Sequence, residues 1–203
     1  MRRVLVGIAA VSVAAVLAGC SGGDDATEDS PTQPAGAEAT SEDTGGATSG
    51  ADSGDATPKD ADLATHKFAT SAQDAIDTAT QEAGEGTVHA IEIDWEDDHN
   101  AWIWTVKTLV DGTDHEVDIN ADTGEVVKTE EDSTDDKEKA IDLNDPMTFE
   151  EARDKALEVR EGRITEWKYE WDDNRPEFEF DIEKDGNSED VVVNAETGEA
   201  KED

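Results

Sequence analysis

Residues 120–127 read NADTGEVV, and residues 194–200 read NAETGEA, the same phrase displaced by 74 positions. Three readings compete for it: a ligand loop, a catalytic motif copied with its domain, or a turn that folding requires. The calcium reading fails on spacing. Asp118, Asn120 and Asp122 occupy positions one, three and five of an EF-hand count, but glycine falls at seven instead of six and position twelve is Thr129. In the second copy Val192 stands at position one. A hairpin needs the same residues for local reasons. Asn120 and Asp122 can bond nearby backbone, and Gly124 can take φ > 0 as the bulge of a short loop; Asn194 and Gly198 repeat the assignment. The phrase is therefore read as a structural turn that closes a unit.

Working outward from the two turns exposes a duplication. TSAQDAIDTA (70–79) aligns with MTFEEARDKA (147–156) at an offset of 77. Trp95, Trp102, Trp104 and Val106 align with Trp171, Phe178, Phe180 and Ile182 at 76, and Asp111-Gly112, Val117 and Ile119 align with Asp185-Gly186, Val191 and Val193 at 74. The two-residue difference within the hairpin keeps strand parity, so the same side chains face the same side. Each unit opens with a helix. Ser71 and Thr148 are N-cap candidates, with Asp74 and Glu151 three residues on. Ala75, Ile76, Ala79 and Ala83 form one apolar stripe, and Phe149, Ala152, Ala156 and Val159 form the other, with Gly84 and Gly162 as stops.

Strands follow. Ile91, Ile93 and Trp95 alternate with acids, as do Phe178, Phe180 and Ile182, which predicts an antiparallel sheet with one wet face. Asp-Gly at 111–112 and 185–186 marks hairpins. The expected fold class is α+β: two tandem units, each one helix on a three- to four-stranded antiparallel sheet. The units span 67–130 and 146–203, joined by a polar linker over 131–145 that allows either independence or face-to-face packing.

The N-terminus has another character. Arg2 and Arg3 precede an apolar run from Val4 to Leu17 and the small-residue end LAGC, the pattern of an export signal over 1–19. The run is short against the roughly 20 apolar residues of a spanning helix. LAGC resembles the lipobox of bacterial lipoproteins, which implies acylation of Cys20 and a lipid-anchored protein on the extracytoplasmic face of the cell membrane. Cys20 is the single cysteine, so an intramolecular disulfide and a cysteine-based metal set are excluded. Residues 20–66 are almost wholly Ser, Gly, Asp, Ala, Thr, Glu, Pro and Gln, with Lys59 and Leu63 as the notable exceptions. This composition predicts a disordered acidic tether spanning roughly 35–40 Å.

Net charge is −38, a surface that repels nucleic acid and attracts cations or basic partners. His66, His89, His99 and His115 show no zinc-type spacing, and none recurs in the second unit. Nucleophile, zinc-protease and phosphate-loop motifs are lacking, so neither catalytic residues nor a cofactor are expected. The five tryptophans fall on alternating strand positions and read as core. Ile103, however, sits between Trp102 and Trp104 on the opposite parity. That stretch is read as a contact between the units or as a partner-binding patch.

The alanine-striped helix, the aromatic second strand and the terminal NADTGEV/NAETGEA hairpin, twice in order, resemble the PepSY domain over both units. The resemblance implies a cystatin-like helix on an antiparallel sheet. PepSY domains occur in propeptides of thermolysin-like metallopeptidases and in many exported proteins, and their family-level role is control of peptidases. It implies a tethered binding module acting on an exported peptidase or another envelope protein. The acidity supports a competing reading, a structural surface lipoprotein with low-affinity divalent-cation binding. Oligomeric state is open on both readings.

Overall fold

A computed structural model describes residues 56–135, 137–172 and 174–203. The leader, Cys20 and the tether up to residue 55 lie outside the described residues. Helix α1 (Ala72–Ala83) is followed by strands β1 (Thr87–Glu96), β2 (Ala101–Val110), β3 (Thr113–Asn120) and β4 (Val126–Ser133). Helix α2 (Phe149–Val159) is followed by β5 (Arg163–Asp172), β6 (Arg175–Lys184), β7 (Asn187–Asn194) and β8 (Ala200–Glu202). Both helices start with reciprocal capping boxes, Ser71 with Asp74 and Thr148 with Glu151. These satisfy backbone donors that a first turn otherwise leaves unpaired. Ala75, Ala79, Ala152 and Ala156 are the buried helical residues, and their small side chains let each helix lie close on the strands beneath.

The first helix stops at Gly84, but the second stops at Arg160, so Gly162 is not its cap. Gly162 has a different task. A Cβ there would meet the Glu183 carbonyl oxygen at 2.5 Å, and at the equivalent Gly86 it would meet the Leu109 carbonyl oxygen at 2.4 Å. Both glycines let the chain enter the sheet against a neighbouring backbone. Asp111-Gly112 and Asp185-Gly186 take positive φ at both residues, as two-residue hairpin turns require.

The strands form one eight-stranded antiparallel sheet in the order β4-β3-β2-β1-β5-β6-β7-β8. The expected pair of tandem sheets is thus replaced by a single merged sheet. Its seam is the antiparallel ladder of β1 with β5, pairing Ala90 with Glu170, Ile91 with Tyr169, Glu92 with Lys168 and Ile93 with Trp167. By the repeat alignment, Ile91 corresponds to Trp167, Ile93 to Tyr169 and Glu92 to Lys168. The ladder is therefore isologous, with the Glu92–Lys168 pair on its pseudo-twofold axis. At that central position the copies carry opposite charges, where identical copies would set glutamate against glutamate.

One apolar cluster runs through both halves. Trp104 meets Trp167 edge-on across the seam, with ring centroids 5.4 Å apart, and Tyr169 stacks on Phe178 at 4.1 Å.

Residues 56–66, expected to be tether, belong to the folded body. Leu63 is 3% exposed within the core, and its N–H donates to the Ile164 carbonyl at 3.1 Å. Asp62 accepts from the Ile164 N–H at 3.1 Å, and the Pro58 carbonyl accepts from the Trp102 indole at 3.1 Å. This strap touches both repeats. The expected linker also differs: β4 runs on to Ser133, and Ile141 and Leu143 pack against the core.

Two outcomes follow from this arrangement. Leu63→Ala lowers unfolding stability by about 2–4 kcal/mol, read from the denaturant midpoint, whereas a residue of a free tether would leave it unchanged. Lys168→Glu, which sets like charges opposite each other at the seam, lowers stability by about 1 kcal/mol, and the loss shrinks in high salt.

Candidate functional site

The repeated phrase forms the turns between β3 and β4 and between β7 and β8. The Asn120 side-chain oxygen accepts from the Asp122 and Thr123 N–H groups at 2.9 and 3.0 Å, and the Gly124 N–H donates to the Asn120 carbonyl at 2.8 Å. In the second copy the Asn194 side chain accepts from the Thr197 N–H at 2.8 Å, and the Gly198 N–H donates to the Asn194 carbonyl at 2.8 Å. Gly124 and Gly198 hold φ of 73° and 70°. The asparagine closes each loop and the glycine supplies the left-handed residue.

The first copy does more than turn the chain. Asp122 points its carboxylate at the strap, accepting from the Thr57 N–H at 2.8 Å and hydroxyl at 2.6 Å. The Ala121 carbonyl accepts from the Thr70 N–H at 3.0 Å, and the Thr70 carbonyl accepts from the Trp104 indole at 3.0 Å. The phrase therefore fixes the residue that leads into α1, and through it one wall of a cleft.

That cleft, of about 590 Å³, lies between the beginnings of the two helices. Trp104 and Trp167 line it from opposite sides of the seam, with Phe68 from the segment before α1 and Phe149 from α2; Lys67 and Arg153 are the cations among its lining residues. Phe149 packs on Trp167 with centroids 4.9 Å apart, and Phe68 approaches Trp104 at 6.2 Å. Arg153 is committed, donating to Asp154 and to the Ala64 carbonyl, whereas Lys67 is exposed and makes no ion pair among the described residues. An aromatic hollow with a few polar groups is suited to holding a bulky apolar side chain.

The three residues singled out on β2 part company. Trp104 lines the cleft and reaches across the seam. Trp102 is buried against Phe68 and Trp95 in the first repeat. Ile103 is fully buried, lies outside the shared apolar cluster, and pairs in the ladder with Asp94 and Asn120 of its own repeat. It offers no exposed patch. Of the residues that complete the cleft, Phe149 was legible as part of the second helix's apolar stripe, and Phe68 and Leu143 only as apolar residues near helix starts. Their convergence depends on the merged sheet.

The sheet face opposite the helices gathers acids. Burial, then the neighbouring Glu92, pushes the Glu166 carboxyl up to about 8, and burial with Glu92 and Glu96 pushes Asp94 up to about 6. Asp118, buried beside Thr105, is also raised, mainly by burial. Lys168 lies among them; despite burial, its ammonium is held above the ordinary lysine range by Glu170 and Glu179. Among the described residues no group of three or more His, Cys, Asp or Glu side chains is arranged to hold a metal ion. No described helix is long and apolar enough to cross a membrane.

Comparison with known proteins bears on both repeats. A family model for the PepSY domain, "Peptidase propeptide and YPEB domain", matches residues 70–130 and 146–202, together more than half of the chain. No curated protein matches the chain. A crystal structure from Clostridium difficile 630, described as that of a "putative lipoprotein", superposes with a TM-score of 0.59 at 22% identity, covering 70% of this chain and 99% of that one. At that identity the likeness concerns the fold.

The outer face predicts a pH dependence. Glu166 and Asp94 hold protons in the folded state that the unfolded chain releases near pH 4, so their contribution falls as pH rises through the folded values toward 8. Asp74 and Glu151 work the other way. Their cap hydrogen bonds lower their pKa values, and the stability they add is lost as pH falls below the ordinary carboxylate range. The melting temperature is expected to peak near pH 5 and to decline toward pH 8. Glu166→Gln should flatten the decline; an unchanged slope would remove Glu166 as its source.

Proposed function

Because the chain belongs to the PepSY family through both of its repeats, we propose that it is a non-catalytic binding module that docks and restrains an exported peptidase from the outer face of the cell membrane. An acylated Cys20 anchors it, and the acidic segment between that cysteine and residue 56 carries the folded body away from the bilayer.

The observation that carries this reading is the cleft at the seam. Its floor takes one tryptophan from each repeat, Trp104 and Trp167, and its walls take Phe68, just before α1, and Phe149 from α2. Neither repeat alone supplies that hollow. A buried aromatic pocket that receives one bulky anchor residue is where a protein–protein contact concentrates its energy. The partner contributes an apolar side chain from an exposed loop, and the family supplies the class of partner.

The test is a titration of exported peptidases with the full chain, following peptidase activity and the fluorescence of the cleft tryptophans. Saturable inhibition accompanied by a change in tryptophan emission is expected. Asn144→Trp, placed at the exposed rim where the new indole can occupy the hollow, should weaken the interaction about tenfold or more without lowering the melting temperature. Binding that Asn144→Trp leaves intact would remove the cleft from the reading, and a failure to bind any exported peptidase would remove the peptidase.

A further inference from the structure

Strand β4 ends the sheet on the first-repeat side. All eight of its residues are exposed, and among the described residues it has a neighbour, β3, on one side only. A strand so placed turns a row of backbone N–H and C=O groups outward, ready to pair with another extended chain. The usual guards are weak over most of its length. It contains no proline, its pairing irregularity is confined to the start near Val126, and the register with β3 is regular from Lys128 to Ser133. Its one lysine, Lys128, is half-exposed and already engaged by acids, 2.8 Å from Glu130, 3.6 Å from Asp118 and 3.8 Å from Glu116.

What remains along the edge has two parts. Val126 and Val127, 38% and 37% exposed, stand at the first end, and Glu130, Glu131 and Asp132 stand at the other. We propose that β4 is a strand-addition site for an extended segment of a partner protein bearing lysines or arginines opposite Glu130–Asp132 and β-branched apolar residues opposite Val126–Val127. Every pairing in the sheet is antiparallel. The incoming strand continues that pattern, so its basic residues precede its apolar ones in sequence.

Charge selects the occupant. The chain's own residues 4–55 contain no lysine or arginine and many acids, so they match the acidic end poorly. A second copy paired antiparallel would set Val126, Val127 and its single lysine, Lys128, against these acids, a poorer charge match than a run of basic residues. A basic segment of another protein gains both the backbone ladder and the opposite charge. This inference concerns the far edge of the sheet and does not rest on the cleft.

The experiment uses the full chain and synthetic peptides of about eight residues, enough to span β4. One peptide alternates lysine with threonine and then valine with threonine. A second reverses the order of the two halves. A third carries the first sequence with N-methyl groups on alternate backbone nitrogens facing β4. The expected result is saturable binding of the first peptide with slowed amide exchange confined to β4. Affinity should fall about tenfold or more for the reversed peptide, for the N-methylated peptide and for Glu130→Lys/Asp132→Lys protein. Equal binding of the N-methylated peptide would reduce the effect to diffuse charge and overturn the proposal. So would protection spread over the acidic sheet face, or an absence of binding. Asn144→Trp protein should bind the peptide normally, which separates this edge from the cleft.

Discussion

The ladder between β1 and β5 is the constraint on which the rest of the structure depends. Each repeat taken alone would leave its first strand as an edge carrying Ile91 and Ile93, or Trp167 and Tyr169, on its apolar face. Joining the two strands removes both edges at once and runs one core beneath both helices. A unit of about 60 residues is marginal for independent folding, because too much of its surface stays wet; the merged body escapes that limit. The cleft is a by-product of the same join, since Trp104 and Trp167 meet only across it.

The strap and the acidic face show how the remaining chain is allotted. An apolar-in, acid-out alternation in β5 and β6 places their aromatic residues under the helices and turns mostly acidic neighbours to the opposite face. Crowding there is severe enough to keep Glu166 and Asp94 partly protonated well above the ordinary carboxylate range. The strap works on the other side of the sheet. Asp122 receives it at Thr57, Trp102 holds Pro58 and Ile164 holds Leu63, so it ties the first repeat's closing turn to the second repeat's first strand. It then becomes a wall of the cleft, lined there by Leu63, Ala64, Thr65 and His66.

Much of this was legible in the sequence wherever the cause was local. Capping boxes, alanine stripes, the Asp-Gly hairpins and the Asn/Gly closing turns each depend on residues within a few positions of one another. The strap escaped because its composition is that of a coil. Lys59 and Leu63 were the clue, as the residues that break that composition, and Lys59 meets Asp97 while Leu63 enters the core. Gly162 was misread as a helix stop because a close backbone approach from Glu183, far along the chain, leaves no periodic trace. Ile103 was read as a contact between the units or a partner-binding patch; parity alone does not reveal that its side of the strand is fully buried.

The sequence by itself determined that the chain is a duplicated helix-and-meander, that its units end at NADTGEVV and NAETGEA, and that its family is PepSY. These rest on residue order and on turn chemistry contained within one short stretch. Only the tertiary structure decided that the copies share a single sheet, that residues 56–66 belong to it, and that the aromatic residues of both copies surround one cleft. The alternation of a first strand is the same whether its edge is paired, covered or free. Which of these holds depends on a partner strand more than seventy residues away, and a local pattern carries no record of it.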